Sequence, residues 1–269
     1  MTGTVTYSGN PYSVDLTVDS KRRASGTVTA TSGTVQVVDD GNTVYMQGKD
    51  YFGKLLKFPV FDRWVKYPAA PVANVTMQLT DRSAIAKALE ATAGKSVKSK
   101  AATASGVRTT ALTAPTVTVQ VAGSRPVEID TAAGVQAGPD LSQLNVWLSG
   151  YNAAPDVKVP DKFVDSADSN TWPPYFVYSG SPALTFQNCD NSGCTMAAGF
   201  TNNGGKGEGS ASVHFLVRNA ADGSEVAGCD APFPATDSGA TVTVSCRVTY
   251  DRTQGGRFEG TLVIHNPTA

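Results

Sequence analysis

Residues 12–19, Tyr12-Ser13-Val14-Asp15-Leu16-Thr17-Val18-Asp19, alternate apolar and polar side chains without a break. A period of two puts Tyr12, Val14, Leu16 and Val18 on one side of an extended chain and Ser13, Asp15, Thr17 and Asp19 on the other. A strand carries this pattern when one face meets an apolar interior and the other meets water. Weaker forms recur at 24–31, 34–38 and 43–47, separated by Asp19-Ser20-Lys21, Ser32-Gly33 and Asp39-Asp40-Gly41-Asn42. The first fifty residues are therefore expected to form an antiparallel meander with one dry face. What that face covers, whether a packed core, a ligand or a partner, decides the function.

A chain of 269 residues has room for two domains, each with its own core. Its 22 basic and 23 acidic residues leave a net charge of -1, and no block of like charge occurs. No nucleic-acid partner is expected from such a balance. Charged residues make up only 17%, while Thr, Val, Ser, Ala and Gly abound. That mixture suits pleated strands and turns, and an exported β-protein. No apolar run reaches the roughly 18 residues needed to span a bilayer. Met1 is followed directly by strand-like sequence, Thr2–Tyr7, with no signal peptide and no lipidation cysteine near it. The expectation is a trimmed chain with an added start Met, whose membrane association would depend on an N-terminal anchor missing here.

Beyond the meander, Gly48–Val60 is aromatic and basic, a loop or short helical turn. Trp64–Pro68 is a short strand ended by proline. A helix is predicted over 81–92, capped by Thr80 or Asp81, striped by Ile85, Ala88 and Leu89, and stopped by Gly94. Strands follow at 106–112, 116–121, 126–129 and 144–147. Prolines at 155, 160, 173, 174 and 182 mark a change of character over 152–182, within which 166–182 is the expected linker between a domain at 1–165 and another at 183–269. The second is all β, with strands at 184–188, 194–201, 210–217, 225–230, 240–249 and 257–264 at the spacing of a β-sandwich.

All four cysteines lie in this second region. Cys189 and Cys194 enclose a tight Asp-Asn-Ser-Gly loop, and Cys229 and Cys246 flank a Pro/Gly-rich connection. Three pairings are possible, and sequence does not settle which; 189–194 with 229–246 is preferred. A zinc site would favour CxxC-like spacing, absent here. Disulfides imply an oxidising compartment.

No enzymatic constellation assembles. Gly-x-Ser-x-Gly and His-Glu-x-x-His are missing, and the only histidines, His214 and His265, sit within strands. Gly48-Lys49-Asp50-Tyr51-Phe52-Gly53-Lys54-Leu55 imitates a phosphate loop but has Leu55 where a magnesium-ligating hydroxyl belongs. The chain is read as a non-enzyme with no cofactor and no metal; Asp39-Asp40 is a turn pair first.

Over 1–165, the segments Val14–Val18, Ala24–Val28, Gly33–Val38, Asn42–Met46 and Trp64–Tyr67 stand in an order that resembles the LolA/LppX-like lipoprotein family of the bacterial envelope, in particular its LppX/LprG-type branch. The resemblance implies a curved antiparallel sheet, a half-barrel, with helices in its mouth and acyl chains held between them. Phe200–Gly205 is similar to the strand-turn signature of bacterial immunoglobulin-like modules. The expected fold is thus mainly β with a minor α component: a curved antiparallel sheet with one or two helices, then an immunoglobulin-like β-sandwich. On this reading the protein is an extracytoplasmic lipid carrier or sensor, with Val14, Leu16, Val18, Val28, Val35, Val37, Ile85 and Leu89 lining the acyl site. Ala24, Gly26 and Ala30 either leave room for that ligand or reflect a tightly packed sheet. The alternative is a cell-surface adhesion or interaction protein with no small ligand, which presents Tyr51, Phe52, Trp172 and Tyr175 to a protein partner.

Overall fold

The alternating segments build strands β1 (Thr2–Tyr7), β2 (Asn10–Val18), β3 (Ala24–Ala30), β4 (Gly33–Asp39) and β5 (Val44–Gln47). This computed structural model describes residues 1–55, 63–93, 97–151, 156–206, 209–250 and 257–267. Each strand pairs antiparallel with the next, in a register that sorts apolar residues onto one face. Val14 lies across from Val28 and Val28 from Val35, while Leu16, Gly26, Val37 and Met46 form the neighbouring row.

Then come α1 (Lys49–Leu55), β6 (Val65–Lys66), α2 (Pro71–Thr80), α3 (Arg82–Ala93), β7 (Lys98–Ala104), β8 (Val107–Thr113), β9 (Val117–Ala122), β10 (Arg125–Thr131) and β11 (Leu141–Trp147). The strands join one sheet in the order β6-β5-β4-β3-β2-β1-β11-β10-β9-β8-β7. The first and last strands of this unit are neighbours, with Gly3 across from both Val14 and Val146. The apolar row therefore continues through Val146, Ile129, Val119 and Leu112. No sheet closes into a barrel among the described residues.

Helix α2 packs against β3, β4 and β5 and buries Val72, Ala73, Val75 and Leu79. The sequence reading did not anticipate it, because its β-branched residues favour strands. Two signals were present. Pro71 occupies the first helical turn, where its missing N–H costs nothing, and Val72, Val75, Thr76 and Leu79 keep helical spacing. Helix α3 lies within one residue of its predicted span, and Asp81 accepts the Ala84 N–H at 3.1 Å, as an N-cap should. The opposite face of β4 and β5 is also covered: Val38 and Tyr45 pack with Val157 and Trp64, and Phe163 meets the Tyr45 ring edge-on.

Asp39 ends β4 with 1% of its surface exposed. Burial pushes its carboxyl above the ordinary value, and hydrogen bonds from the Gly41 N–H and the Thr80 hydroxyl offset this only in part. A raised folded pKa means stability that is present below the ordinary carboxyl value and lost as pH rises through the folded one. Asp39→Asn keeps both contacts, since its amide can donate to Thr80. It is expected to hold or raise the melting temperature at pH 7 and to flatten the acid-to-neutral profile. Asp39→Ala strands the Gly41 N–H, while the Thr80 hydroxyl keeps the Met77 carbonyl, and should cost about 1–3 kcal/mol. Thermal melts from pH 4 upward check both.

The second unit is Val164–Ala269, after Met1–Phe163. It holds β12 (Val164–Asp165), a 3-10 turn at Ser169–Thr171, β13 (Phe176–Tyr178), β14 (Thr185–Asp190), β15 (Gly193–Asn202), β16 (Ser212–Asn219), β17 (Glu225–Pro232), β18 (Thr241–Thr249) and β19 (Phe258–His265). Strand β15 pairs with β13, β14 and β18, and β16 pairs with β17 and β19. Met196, Ala198, Phe200, Val244 and Val248 from the first sheet bury against Val213, Phe215, Val217 and Ala231 from the second. That is a β-sandwich. Both disulfides have the preferred pairing, Cys189–Cys194 and Cys229–Cys246. The stretch 166–182, expected as a linker, folds into this unit. It carries β13, and Phe176 is 2% exposed in the core and stacks on Phe233. Trp172 donates its indole N–H to the Asp165 carbonyl at 2.8 Å.

Candidate functional site

Five of the eight residues expected to line an acyl site, Val14, Leu16, Val28, Val35 and Val37, meet on the helix-covered face, each at most 4% exposed. Val18, at the end of β2, and Ile85 and Leu89, one turn apart on α3, are half-buried. The helix over β3–β5 is α2, not the α3 that carries Ile85 and Leu89. Gly26 provides no spare volume: a Cβ there would lie 2.0 Å from the Asp15 carbonyl oxygen of the adjacent strand. Tyr51 and Phe52 are 5% and 1% exposed, so they form core rather than an outer aromatic patch. Their rings pack edge to face on α1, and burial pushes the Tyr51 phenol up to about 12. Trp172 and Tyr175 are half-buried.

The sheet offers a different concavity. Val107, at the start of β8, Ala122, at the end of β9, Arg125 and Val127 of β10, and Trp147–Tyr151 at and beyond the end of β11 surround an open groove of about 370 Å³. Antiparallel order places these residues together, because strand ends from both sides of each turn gather at one end of the sheet. Val107 and Tyr151 are 47% and 38% exposed, large for apolar or aromatic side chains. The Arg125 guanidinium lies 5.5 Å from the centre of the Tyr151 ring, within cation–π range. Tyr151 donates its hydroxyl to the Pro126 carbonyl, and the Leu148 N–H bonds the Val127 carbonyl at 2.8 Å. These bonds hold the segment after β11 against β10. Burial pushes the Tyr151 phenol up, against the pull of Arg82 and Arg125. No carboxylate pairs with Arg125 among the described residues. The groove thus joins apolar walls to one unneutralised cation, a combination suited to an amphiphile with an anionic end.

The contacts of His214 among the described residues are with carboxylates. One ring nitrogen meets Asp230 at 2.8 Å and the other faces Glu225 at 3.8 Å, with no hydroxyl or thiol hydrogen-bonded to the ring among the described residues. No cluster of metal-ligating side chains occurs among the described residues, and no helix among them is long and apolar enough to cross a membrane. Comparison of the chain with protein-family models, characterised proteins and solved structures finds no match.

Proposed function

We propose that the protein is a non-catalytic, exported envelope protein that binds a hydrophobic ligand with an anionic end, as a carrier or sensor. The observation that carries this reading is the groove between Val107, Trp147 and Tyr151 with Arg125 at its side. Two disulfides fit the extracytoplasmic setting. The work done is transfer without chemistry: each methylene withdrawn from water contributes roughly 0.8 kcal/mol, and the guanidinium fixes the polar end. The LolA/LppX-like reading agrees with a single antiparallel sheet whose helices follow the first meander, and places an acyl chain near that sheet. The groove reading moves the ligand from Val14, Leu16 and Val28, where the resemblance implies it, to the open strand ends.

Titration calorimetry with a long-chain carboxylate tests the proposal. The parent chain should bind, and Arg125→Glu should weaken binding about 10–100-fold, as loss of a charge-assisted contact implies. Trp147→Ala should weaken it as well, with thermal stability followed in parallel. Parent-like affinity in Arg125→Glu would remove the groove from the reading. No uptake by the parent, and no lipid in an organic extract of natively purified protein, would favour the adhesion alternative.

A further inference from the structure

We propose that the second unit pairs with a second copy of itself through the outer edge of β19, to form a two-fold, antiparallel continuation of the β17-β16-β19 sheet. The proposal is independent of the groove. Two other sheet edges carry devices that discourage pairing. Strand β7, at the end of the large sheet, exposes Lys98 and Lys100. Strand β17 pairs with β16 through a register shift, ends in Pro232, and is tied to β18 by Cys229–Cys246. Strand β19 has none of these. Its eight residues pair with β16 in unbroken register, from Asn219 across Phe258 to Ser212 across His265. It contains no proline, lysine or arginine. Among the described residues only β16 pairs with it.

The side chains of β19 are self-complementary about Leu262. With Leu262 facing Leu262 of the second copy, Thr261 meets Val263 and Glu259 meets His265, the only two titratable residues of the strand. An acidic residue thus stands opposite a hydrogen-bond donor at both ends of the contact. The inner face gains too. Leu262 and Ile264 pack on the sandwich core but are only partly buried, whereas Val213 and Phe215 on the central strand are 0% exposed. Gly260 would stand across from Ile264 of the second copy. The ring of Phe186, itself 48% exposed, lies where a Cβ on Gly260 would be, poised to cover that contact. Val263 is 42% exposed on the outer face. A neighbouring strand would bury these apolar groups and satisfy the free edge.

Sedimentation equilibrium of the full chain over a wide concentration range gives the first result: a reversible monomer–dimer equilibrium is expected. Glu259→Lys alone and His265→Glu alone should each weaken the dimer roughly tenfold, two contacts being altered per dimer, and the double exchange should recover most of the loss. Val263→Lys, at an exposed position, should leave a monomer. Hydrogen exchange of the parent adds a readout that no variant's folding can blur: protection of the 258–265 amides should rise with protein concentration. A monomer throughout, a dimer indifferent to the charge exchange, or 258–265 protection independent of concentration would each overturn the proposal.

Discussion

Gly26→Ala is expected to cost the first unit about 3 kcal/mol or more and to lower its melting temperature by roughly 10 °C. Gly26 sits in the middle of β3 with φ +153°, a conformation that L side chains rarely adopt. An added Cβ would lie 2.0 Å from the Asp15 carbonyl oxygen and 3.0 Å from the Leu16 Cα, both backbone atoms of β2. Neither can swing aside as a side chain could. Strand β2 must shift, and with it the register that puts Val14 against Val28 and Leu16 in the core. Strain and overpacking each contribute about 1–3 kcal/mol. Gly106→Ala is the control. Gly106 also has positive φ, +79°, but an added Cβ would meet nothing within 4 Å. That substitution carries backbone strain without the collision and should cost about 1–2 kcal/mol. Calorimetric melts of the two variants separate the contributions. Equal losses would mean that β2 and β3 yield at Gly26, and that the small residue does leave usable room beside Leu16.

The first meander was legible because one physical constraint, a half-wet sheet, writes itself into every second residue. Strands β2 to β5, β8 to β10 and the six strands β14 to β19 fall near their expected positions for that reason. Strand β7 was not anticipated: Lys98-Ser99-Lys100-Ala101-Ala102 is an edge that buries almost nothing on either face, so no alternation was required of it. Helix α2 was hidden by Val and Thr, whose strand preference is overridden by burial against β3–β5. The dry face itself was correctly located at Val14, Leu16, Val28, Val35 and Val37, yet apolar periodicity cannot distinguish a face that covers a helix from one that covers a ligand. The groove had no local signal. Val107, Ala122, Arg125 and Trp147 stand at the ends of four different strands, each unremarkable alone, and only the β8–β9–β10–β11 pairings gather them.

The second large effect is expected from the Cys229–Cys246 bridge, in contrast to Cys189–Cys194. Cys229 belongs to β17 and Cys246 to β18, strands of opposite sheets. The bond therefore joins the two layers whose apposed faces bury Phe215 and Val244. It closes a chain segment with a sequence separation of 17, against 5 for the hairpin bond between β14 and β15. Loop-closure entropy in the unfolded chain then assigns about 3 kcal/mol to the first and about 2 kcal/mol to the second. The hairpin end also has a second support. Arg247 donates to both carboxylate oxygens of Asp190, at 3.0 and 2.8 Å, and Ser192 donates twice more. Together these bonds, led by Ser192, hold the Asp190 carboxyl down to about 2, so the clamp persists through mildly acidic pH. Beside Cys229 the described residues give a thinner support, the single contact of Asp230 with the His214 ring at 2.8 Å. The C229A/C246A chain is thus expected to melt roughly 10–20 °C lower in the transition of its second unit, and C189A/C194A to lose clearly less. Scanning calorimetry of both variants, with and without reductant, reads the difference. Reductant should lower the C189A/C194A transition further by opening the inter-sheet bond, and lower C229A/C246A by the smaller hairpin amount. A larger loss from the hairpin bond would show that the sandwich is held at the β14–β15 turn, and that its layers adhere without a covalent tie.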